Sequence, residues 1–163
     1  MSGIAIYPGT FDPFTNGHLD IVQRSLPLFD KVVIAVSDHG RKNTLFDIGE
    51  RCLAIAESVK GLLNVEVISF DGLLTECAKE AHASAIIRGL RVTSDFEYEF
   101  KMAQFISEQV KDETIEVVYL MAHARTLHIS SSSVKELAAL KGDVSNYVPV
   151  NILKMIHEKY GHA

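Results

Sequence analysis

The sequence predicts an α/β protein in which one five-stranded parallel sheet carries helices on both faces, a doubly wound arrangement. Five short apolar segments alternate with segments of helical periodicity along the chain. The second of them, Lys31 to Ser37, is an unbroken β-branched run, which is typical of a strand covered on both faces. No repeat or linker interrupts the 163 residues, so we expect a single domain over residues 1–163.

The elements of the N-terminal third follow from capping residues and apolar spacing. The first strand is predicted at Ile4 to Tyr7, and Thr15 or Asn16 suits the cap of the helix after it. That helix carries apolar residues at helical spacing, namely Leu19, Val22, Leu26 and Phe29. After the second strand, a capping-box pattern that begins at Asp47 predicts a helix to about Val59.

The remaining elements continue the same alternation of strand and helix. Further strands are predicted at Asn64 to Phe70, Ser84 to Ile87 and Ile115 to Leu120. Further helices are predicted over Leu73 to Ala81, Ser94 to Val110, Ser130 to Leu140 and Pro149 to Tyr160. Ser133 and Glu136 have capping-box spacing, and Pro149 suits the first turn of the last helix. The whole order is Rossmann-like.

Composition and charge exclude several classes of protein. A net charge of −5 argues against a broad nucleic-acid surface, so no nucleic-acid partner is expected. No apolar run approaches the roughly 20 residues of a membrane helix, and no secretory signal is apparent. The two cysteines, Cys52 and Cys77, lack metal-ligand spacing, and we expect reduced thiols in a cytoplasmic protein.

The loop after the first strand is the strongest candidate for a binding site. It contains two prolines and two glycines, and it leads into a helix whose first turn holds His18. Such a helix start presents amide N–H groups to an anion, and the imidazole can donate a hydrogen bond to a phosphate oxygen. The hydroxyl of Thr10 and the amides of Thr10 and Phe11 are further candidates. The alternative is that the loop only shapes a tight turn.

Cationic side chains follow other predicted strands. Arg88 and Arg91 flank a glycine directly after the fourth strand, and Lys42 lies in the loop after the second. Ligands of doubly wound sheets bind beyond the carboxyl ends of the strands, so these cations can meet at one composite anion site. Glu99, about two turns into the long helix, can accept hydrogen bonds from a ribose or base. Surface arginines and solvated lysines are the alternative interpretation.

A second helix start is rich in hydroxyl groups. Ser130 to Ser133 can cap a helix, or they can hold a second phosphate group, and two such helix starts suggest a polyphosphate ligand. The sequence lacks GxxxxGK(S/T), GxGxxG after the first strand and GxSxG, so it does not resemble P-loop, dinucleotide-binding or esterase sites. The remaining histidines show no metal-ligand spacing, so no protein metal site is predicted.

Three motifs together resemble a known family. The run Pro8 to Pro13 with Asn16-Gly17-His18 resembles the (T/H)xGH signature of the nucleotidyltransferase superfamily. The segments IRGLR with DFEYE, and ISSS with VKE, are similar to bacterial phosphopantetheine adenylyltransferase over nearly the whole chain. The resemblance implies adenylyl transfer from ATP to 4′-phosphopantetheine, which gives dephospho-coenzyme A and pyrophosphate. It also implies Mg²⁺, a homohexamer and feedback inhibition by coenzyme A.

The resemblance also assigns roles to residues of this chain. The catalytic set would be His18, Lys42, Arg88 and Arg91. Phosphopantetheine would be bound by Thr10, Lys42, Leu74 and Arg88. ATP would be bound by Thr10, Phe11, His18, Gly89, Leu90, Arg91, Glu99, Thr126, Leu127, His128, Ile129, Ser130, Ser131 and Ser132. The phosphate of phosphopantetheine is already an anion, so we expect in-line attack without a protein base or a covalent intermediate.

One segment departs from the family pattern. After Met121 the chain has Ala122 to His128, and Thr126 stands where the family has an aromatic residue. His123, Arg125 or His128 can take its place on the adenine side. Two other functions stay open at this point. One is a related nucleotidyltransferase that uses nicotinate mononucleotide or a polyol phosphate, and the other is a nucleotide-binding module without catalysis.

Overall fold

The computed structural model describes residues 3–38, 43–91, 93–109 and 115–161. The strands are β1 (Ile4–Gly9), β2 (Lys31–Ser37), β3 (Val65–Phe70), β4 (Ala83–Leu90) and β5 (Glu116–Met121). The helices are α1 (Asn16–Ser25), α2 (Ile48–Val59), α3 (Leu74–Glu80), α4 (Thr93–Gln109), α5 (Ser131–Ala139) and α6 (Val150–Tyr160). The strands form one sheet in which all pairings are parallel. The predicted α/β class with five parallel strands is confirmed.

The order of the strands places a crevice at the centre of the sheet. The sheet has the order β3-β2-β1-β4-β5, so the chain adds strands on one side of β1 and then crosses to the other side. The loops that leave β1 and β4 therefore diverge from neighbouring strands. In doubly wound sheets this switch point is where ligands bind, beyond the carboxyl ends of the strands.

Alternate residues of the central strands face two different apolar layers. Tyr7 and Ile34 belong to the larger core cluster, which contains residues of α1, α2, α5 and α6. Ile6 and Ala35 belong to the smaller cluster, which contains residues of α3 and α4. Side chains of a strand alternate between its faces, so an apolar layer on each face requires a continuous apolar strand. This requirement explains why β2 matches its predicted bounds at both ends.

The predicted end of the fourth strand is wrong by three residues. The strand was expected to end at Ile87, but Gly89 and Leu90 still pair with β5. Arg88 and Gly89 are therefore among the last residues of β4 and do not lie in a loop. Arg91 is the first residue beyond the strand. The pairing of β4 with β5 thus continues through Gly89, although this glycine interrupts the apolar pattern of the sequence.

The N-terminus of α5 also differs from the prediction. Ser130 is the cap, because its hydroxyl accepts a hydrogen bond from the amide of Ser133 at 3.0 Å. Ser133 is therefore the third helical residue, and the capping box predicted between Ser133 and Glu136 is wrong. Of the two candidate caps for α1, Thr15 is the one used.

A buried arginine joins the ends of β1 and β2. The side chain of Arg51, in α2, is 3% exposed. Its Nη1 donates to the carbonyl oxygen of Thr10 at 2.8 Å and to that of Ser37 at 3.0 Å. Its Nε donates to the carbonyl oxygen of Phe46 at 3.1 Å. One guanidinium thus fixes the chain where it leaves both strands and where it enters α2.

We expect Arg51→Met to lower the free energy of unfolding by about 2–4 kcal/mol, because it removes a buried donor from several carbonyl groups at once. Lys60→Met is the matched control, since the Lys60 side chain is 75% exposed and its loss should change stability by less than about 0.5 kcal/mol. Chemical denaturation at one fixed protein concentration measures both variants. Equal stability of the two variants would contradict the role given to Arg51.

Candidate active site

A cavity of about 290 Å³ opens at the switch point between β1 and β4. Residues from the ends of β1, β4 and β5 and from the starts of α1 and α5 line it. Among the described residues, they are Tyr7, Thr15, Gly17, His18, Ile21, Gly89, Arg91, Ala122, Thr126, Ile129, Ser130, Ser131 and Ser132. The structure thus brings together several of the predicted site residues that are distant in sequence.

The geometry of the first turn of α1 fixes the tautomer of His18. The amide of Thr15 donates to Nδ1 of His18 at 3.0 Å, while the Thr15 hydroxyl accepts from the amide of His18 at 3.4 Å. The two residues form a reciprocal capping box in which histidine takes the place that Glu or Gln usually has. Because Nδ1 accepts this hydrogen bond, the proton of the neutral ring is on Nε2.

His18 is held in its neutral form by its surroundings. Burial lowers the pKa of His18 from 6.5 to about 4, and the positive charge of Arg91 acts in the same direction. The rings of Phe11 and Phe14 lie with their centroids 5.0 Å and 5.5 Å from the imidazole centroid. At neutral pH the ring therefore presents a single N–H donor in an orientation that packing defines.

Arg88, near the end of β4, and Arg91, just after it, have different surroundings. Arg88 is bound by Glu99, since its Nε and Nη2 donate to the two carboxylate oxygens at 2.6 Å and 2.5 Å. Tyr119 in turn donates its hydroxyl to the carbonyl oxygen of Glu99 at 3.0 Å. This bidentate pair orients the guanidinium of Arg88 in a partly buried position. Glu99, predicted to contact the nucleotide, contacts an arginine in this structure.

Arg91 lines the cavity directly. Its Nη1 donates to the carbonyl oxygen of Ile129 at 3.3 Å, just before the start of α5. Between the arginines, Gly89 also lines the cavity. A Cβ atom added at Gly89 would lie 3.5 Å from the Ile21 side chain and 3.7 Å from the hydroxyl of Tyr7. Burial raises the pKa of the Tyr7 hydroxyl, so this group stays protonated.

The N-terminus of α5 faces the same cavity as that of α1. Ser131 donates its hydroxyl to the carbonyl oxygen of Pro13 at 2.8 Å, which ties α5 to the loop after β1. The Ser130, Ser131 and Ser132 residues line the cavity opposite His18. Each helix start contributes partial positive charge from its first amide groups, so the space between them suits an extended anion.

The segment that departs from the family pattern does not place a substitute aromatic ring in the cavity. His123 and Arg125 both contact Asp20 of α1, at 2.8 Å and 3.2 Å. The ring of His128 packs edge-on against Tyr147, with centroids 5.8 Å apart. His128 instead lines a neighbouring, mostly apolar cavity of about 320 Å³. Thr126 lines the active-site cavity and is nearly buried.

Asp20 is a functional candidate that the sequence analysis missed. Burial acts to raise its pKa, but hydrogen bonds from His123, Arg125 and Arg24 outweigh burial and lower the pKa below its ordinary value. The carboxylate is therefore ionised at neutral pH. The signal in the sequence was the acidic residue Asp20 beside the apolar residues Ile21 and Val22 of a helix. All three are buried.

Asp12 is a second missed residue, and it closes the other side of the loop after β1. Its carboxylate accepts from the amides of Leu45 and Phe46 at 2.9 Å and 3.0 Å. Lys135 of α5 donates to the same carboxylate at 2.7 Å. Asp12 is 4% exposed, so this ion pair connects α5 to the segment before α2 through a buried group.

Five other predicted residues that the structure describes are not part of the cavity lining. Thr10 follows β1, and the ring of Phe11 is buried beside His18. Leu74 begins α3 and packs against the smaller core cluster. Leu90 is buried at the end of β4. Leu127 is exposed beside the cavity, and Lys42 lies outside the described residues.

Comparisons with known proteins identify relatives that extend over nearly the whole chain. Residues 6–137 match the family model described as cytidylyltransferase-like. A phosphopantetheine adenylyltransferase from Clostridium beijerinckii is 48% identical over 153 residues, which are 94% of this chain and 95% of the relative. One from Desulfitobacterium hafniense is 46% identical and covers 96% of this chain and 95% of the relative.

A solved structure shows the same fold at low sequence identity. It is a proposed nicotinate-nucleotide adenylyltransferase from Vibrio parahaemolyticus, with a TM-score of 0.68 and 20% identity, and it covers 100% of this chain and 98% of that chain. The fold, the cavity at the switch point and the extent of these relatives lead to one conclusion: the chain belongs to the phosphopantetheine adenylyltransferase family of cytidylyltransferase-like proteins.

Proposed function

We infer that the chain is an enzyme that transfers the adenylyl group of ATP to 4′-phosphopantetheine, a step of coenzyme A biosynthesis. The relatives that extend over nearly the whole chain are named for this reaction. The observation that carries the inference is the cavity itself, where the Nε2 donor of His18, Arg91 and two helix starts converge. These groups suit a substrate that carries several phosphates in a row.

The reaction needs positioning and charge stabilisation rather than a protein nucleophile. A phosphate oxygen of phosphopantetheine attacks the α-phosphorus of ATP and forms a new phosphoanhydride bond. The bond from the α-phosphorus to the oxygen that bridges to the β-phosphate breaks, and pyrophosphate leaves with that electron pair. Because the attacking phosphate is already an anion, no side chain has to remove a proton from it.

His18 donates from Nε2–H to an oxygen of the α-phosphate in this proposal. Negative charge accumulates on that oxygen during the transfer, so a fixed donor stabilises the transition state more than the ground state. The capping box with Thr15 supports this role, because it sets both the tautomer and the ring position before substrate binds.

Two sets of groups are proposed to hold the attacking phosphate and the leaving pyrophosphate. We place the attacking phosphate near Arg88 and Lys42, and the β- and γ-phosphates near Arg91 and the start of α5. The bidentate contact with Glu99 supports the first part, because it fixes the guanidinium plane of Arg88 at a strand end. The position of Arg91 in the cavity lining supports the second part. Thr10 and Leu74 would complete the phosphopantetheine side.

Mg²⁺ is proposed to enter as the complex with ATP. The described residues contain no group of three or more histidine, cysteine or carboxylate side chains that could hold a metal ion. The described lining of the cavity offers hydroxyl and amide groups, which fits an ion whose ligands are phosphate oxygens and water. When bound, the ion would neutralise part of the charge on the triphosphate.

We further propose a cytoplasmic homohexamer that coenzyme A inhibits by competing at this site. The exposed rings of Phe96 and Phe100 stack with centroids 5.9 Å apart and give α4 an apolar surface that suits contact with another copy of the chain. Cys52 and Cys77 are both free thiols, which is consistent with a reducing compartment. Among the described segments, none of the helices has the length and apolar character needed to cross a membrane.

The proposed reaction predicts pyrophosphate release only when ATP, Mg²⁺ and 4′-phosphopantetheine are present together. A coupled pyrophosphate assay measures this, and omission of each component in turn is the control. Replacing phosphopantetheine by nicotinate mononucleotide, or ATP by CTP, should abolish release. Release with nicotinate mononucleotide, or none with the full mixture, would contradict the assignment.

We expect His18→Ala to lower kcat by about a hundredfold or more, because it removes a donor that acts on the charge of the transition state. The dissociation constant of ATP should change by less than about fivefold, since the ring contributes little in the ground state. His157→Ala on α6 is the control and should keep full activity. If His18→Ala weakens ATP binding as much as it lowers kcat, His18 acts only in ground-state binding.

The depressed pKa of His18 predicts an imidazole that stays neutral through the physiological range. Its ¹⁵N resonances should report the Nε2–H tautomer and should titrate near pH 4 rather than 6.5. Because the folded pKa lies below the ordinary value, the unfolded chain binds the proton more strongly between these two pH values. Stability should therefore fall as the pH decreases from about 6.5 towards 4, and less so in His18→Gln. Titration near 6.5 would contradict the proposed environment.

A further inference from the structure

The carboxylate of Asp20 accepts hydrogen bonds from three side chains close to the active-site cavity. Its side chain, 7% exposed, accepts from Nδ1–H of His123 at 2.8 Å and from Nη2 of Arg125 at 3.2 Å. Nη1 of Arg24 donates to it at 3.3 Å, and the same nitrogen donates to the carbonyl oxygen of Met121 at 2.7 Å. The contacts with His123, Arg125 and the carbonyl of Met121 bind α1 to the segment 121–125 at the end of β5, and the Arg24–Asp20 contact within α1 orients the two side chains that make them.

The segment that Asp20 holds forms part of the cavity. Ala122 and Thr126 both line it. The amide and the hydroxyl of Thr126 donate to the carbonyl oxygen of His123 at 2.9 Å and 3.2 Å, so the position of His123 determines that of Thr126. Thr126 also lies beside the first turn of α1, where a Cβ atom added at Gly17 would be 3.8 Å from its carbonyl oxygen.

We propose that Asp20 is a positioning residue for the nucleotide, which it affects by holding the segment 121–126 at a fixed distance from His18. Asp20 itself does not line the cavity, so it acts through His123, Arg125 and Arg24. Asp20 and His18 lie on the same short helix, so this contact ties one wall of the cavity to the helix that presents the donor. The identity of the nucleotide as ATP rests on the proposed function.

Because two partners of Asp20 are exposed, a role in positioning the cavity wall can be distinguished from a role in the stability of the fold. His123 is 49% exposed and Arg125 is 76% exposed. Exposed ion pairs contribute little to the stability of a fold. A purely structural role therefore predicts small changes in every property when these partners are removed. A positioning role predicts a change in nucleotide affinity that is not shared by the second substrate.

The test measures ATP binding by calorimetry and steady-state kinetics in Asp20→Asn and in the double variant His123→Ala/Arg125→Ala. In both we expect the dissociation constant and the KM for ATP to rise about tenfold, since charge-assisted hydrogen bonds that hold the wall are lost. The KM for phosphopantetheine and kcat should stay within about threefold. Glu57→Gln is the matched control, because Glu57 pairs with Lys60 on the exposed face of α2 and should leave all values unchanged.

Combining Asp20→Asn with His123→Ala/Arg125→Ala distinguishes action through the loop from independent effects. If Asp20 acts through these partners, the combined variant should bind ATP no more weakly than Asp20→Asn alone. Additive losses, or unchanged ATP affinity in Asp20→Asn and in the double variant, would overturn the proposal. The double variant alters only exposed side chains, so it also serves if Asp20→Asn does not fold. Because calorimetry does not require turnover, failure of the pyrophosphate assay and failure of this proposal are distinguishable.

Discussion

The guanidinium of Arg51 is the contact on which the active-site edge depends. Parallel strands leave their last carbonyl groups at one edge of the sheet, and the loops that begin there need partners for these groups. Arg51, a buried residue of α2, supplies donors to the carbonyl oxygens of Thr10, just after β1, and Ser37, at the end of β2. Asp12 complements it by accepting from the amides of Leu45 and Phe46. The loop that carries Thr10 and Asp12 is thus held by hydrogen bonds that it accepts through a backbone carbonyl and through a carboxylate. These bonds form without substrate.

This fixed edge lets an acidic chain provide an anion site. The chain has a net charge of −5, whereas Arg91 and residues at the starts of α1 and α5 line the cavity. Helix starts and oriented N–H groups, which carry no formal charge, add their partial positive charge to that of Arg91. Such groups cost little to hold in place because packing and capping have already ordered them. Preorganised donors of this kind are what a phosphoryl transfer without a protein nucleophile requires.

The sequence allowed the fold and much of the cavity to be predicted, because both depend on local patterns. Apolar runs set the strands, and the loop before His18 identified the helix start at the switch point. The end of β4 was missed, since Gly89 interrupts the apolar pattern while pairing with β5 continues through it. The contacts of Asp20 with His123 and of Asp12 with Lys135 were missed for another reason. Their partners are 103 and 123 residues away, and no local pattern reports such a pairing.

The contacts of Asp20 also explain how the segment 122–128 forms a cavity wall without an aromatic ring in the cavity lining. A large aromatic ring would hold its place by packing, whereas Thr126 is too small to do so alone. Here the segment is held from outside, by His123 and Arg125 on the carboxylate of Asp20. The cost is that the wall depends on hydrogen bonds that solvent can reach, which are weaker and more directional than buried packing. The wall and the donor of His18 are then coupled through one helix, so any change at Asp20 alters the space between them rather than either group by itself.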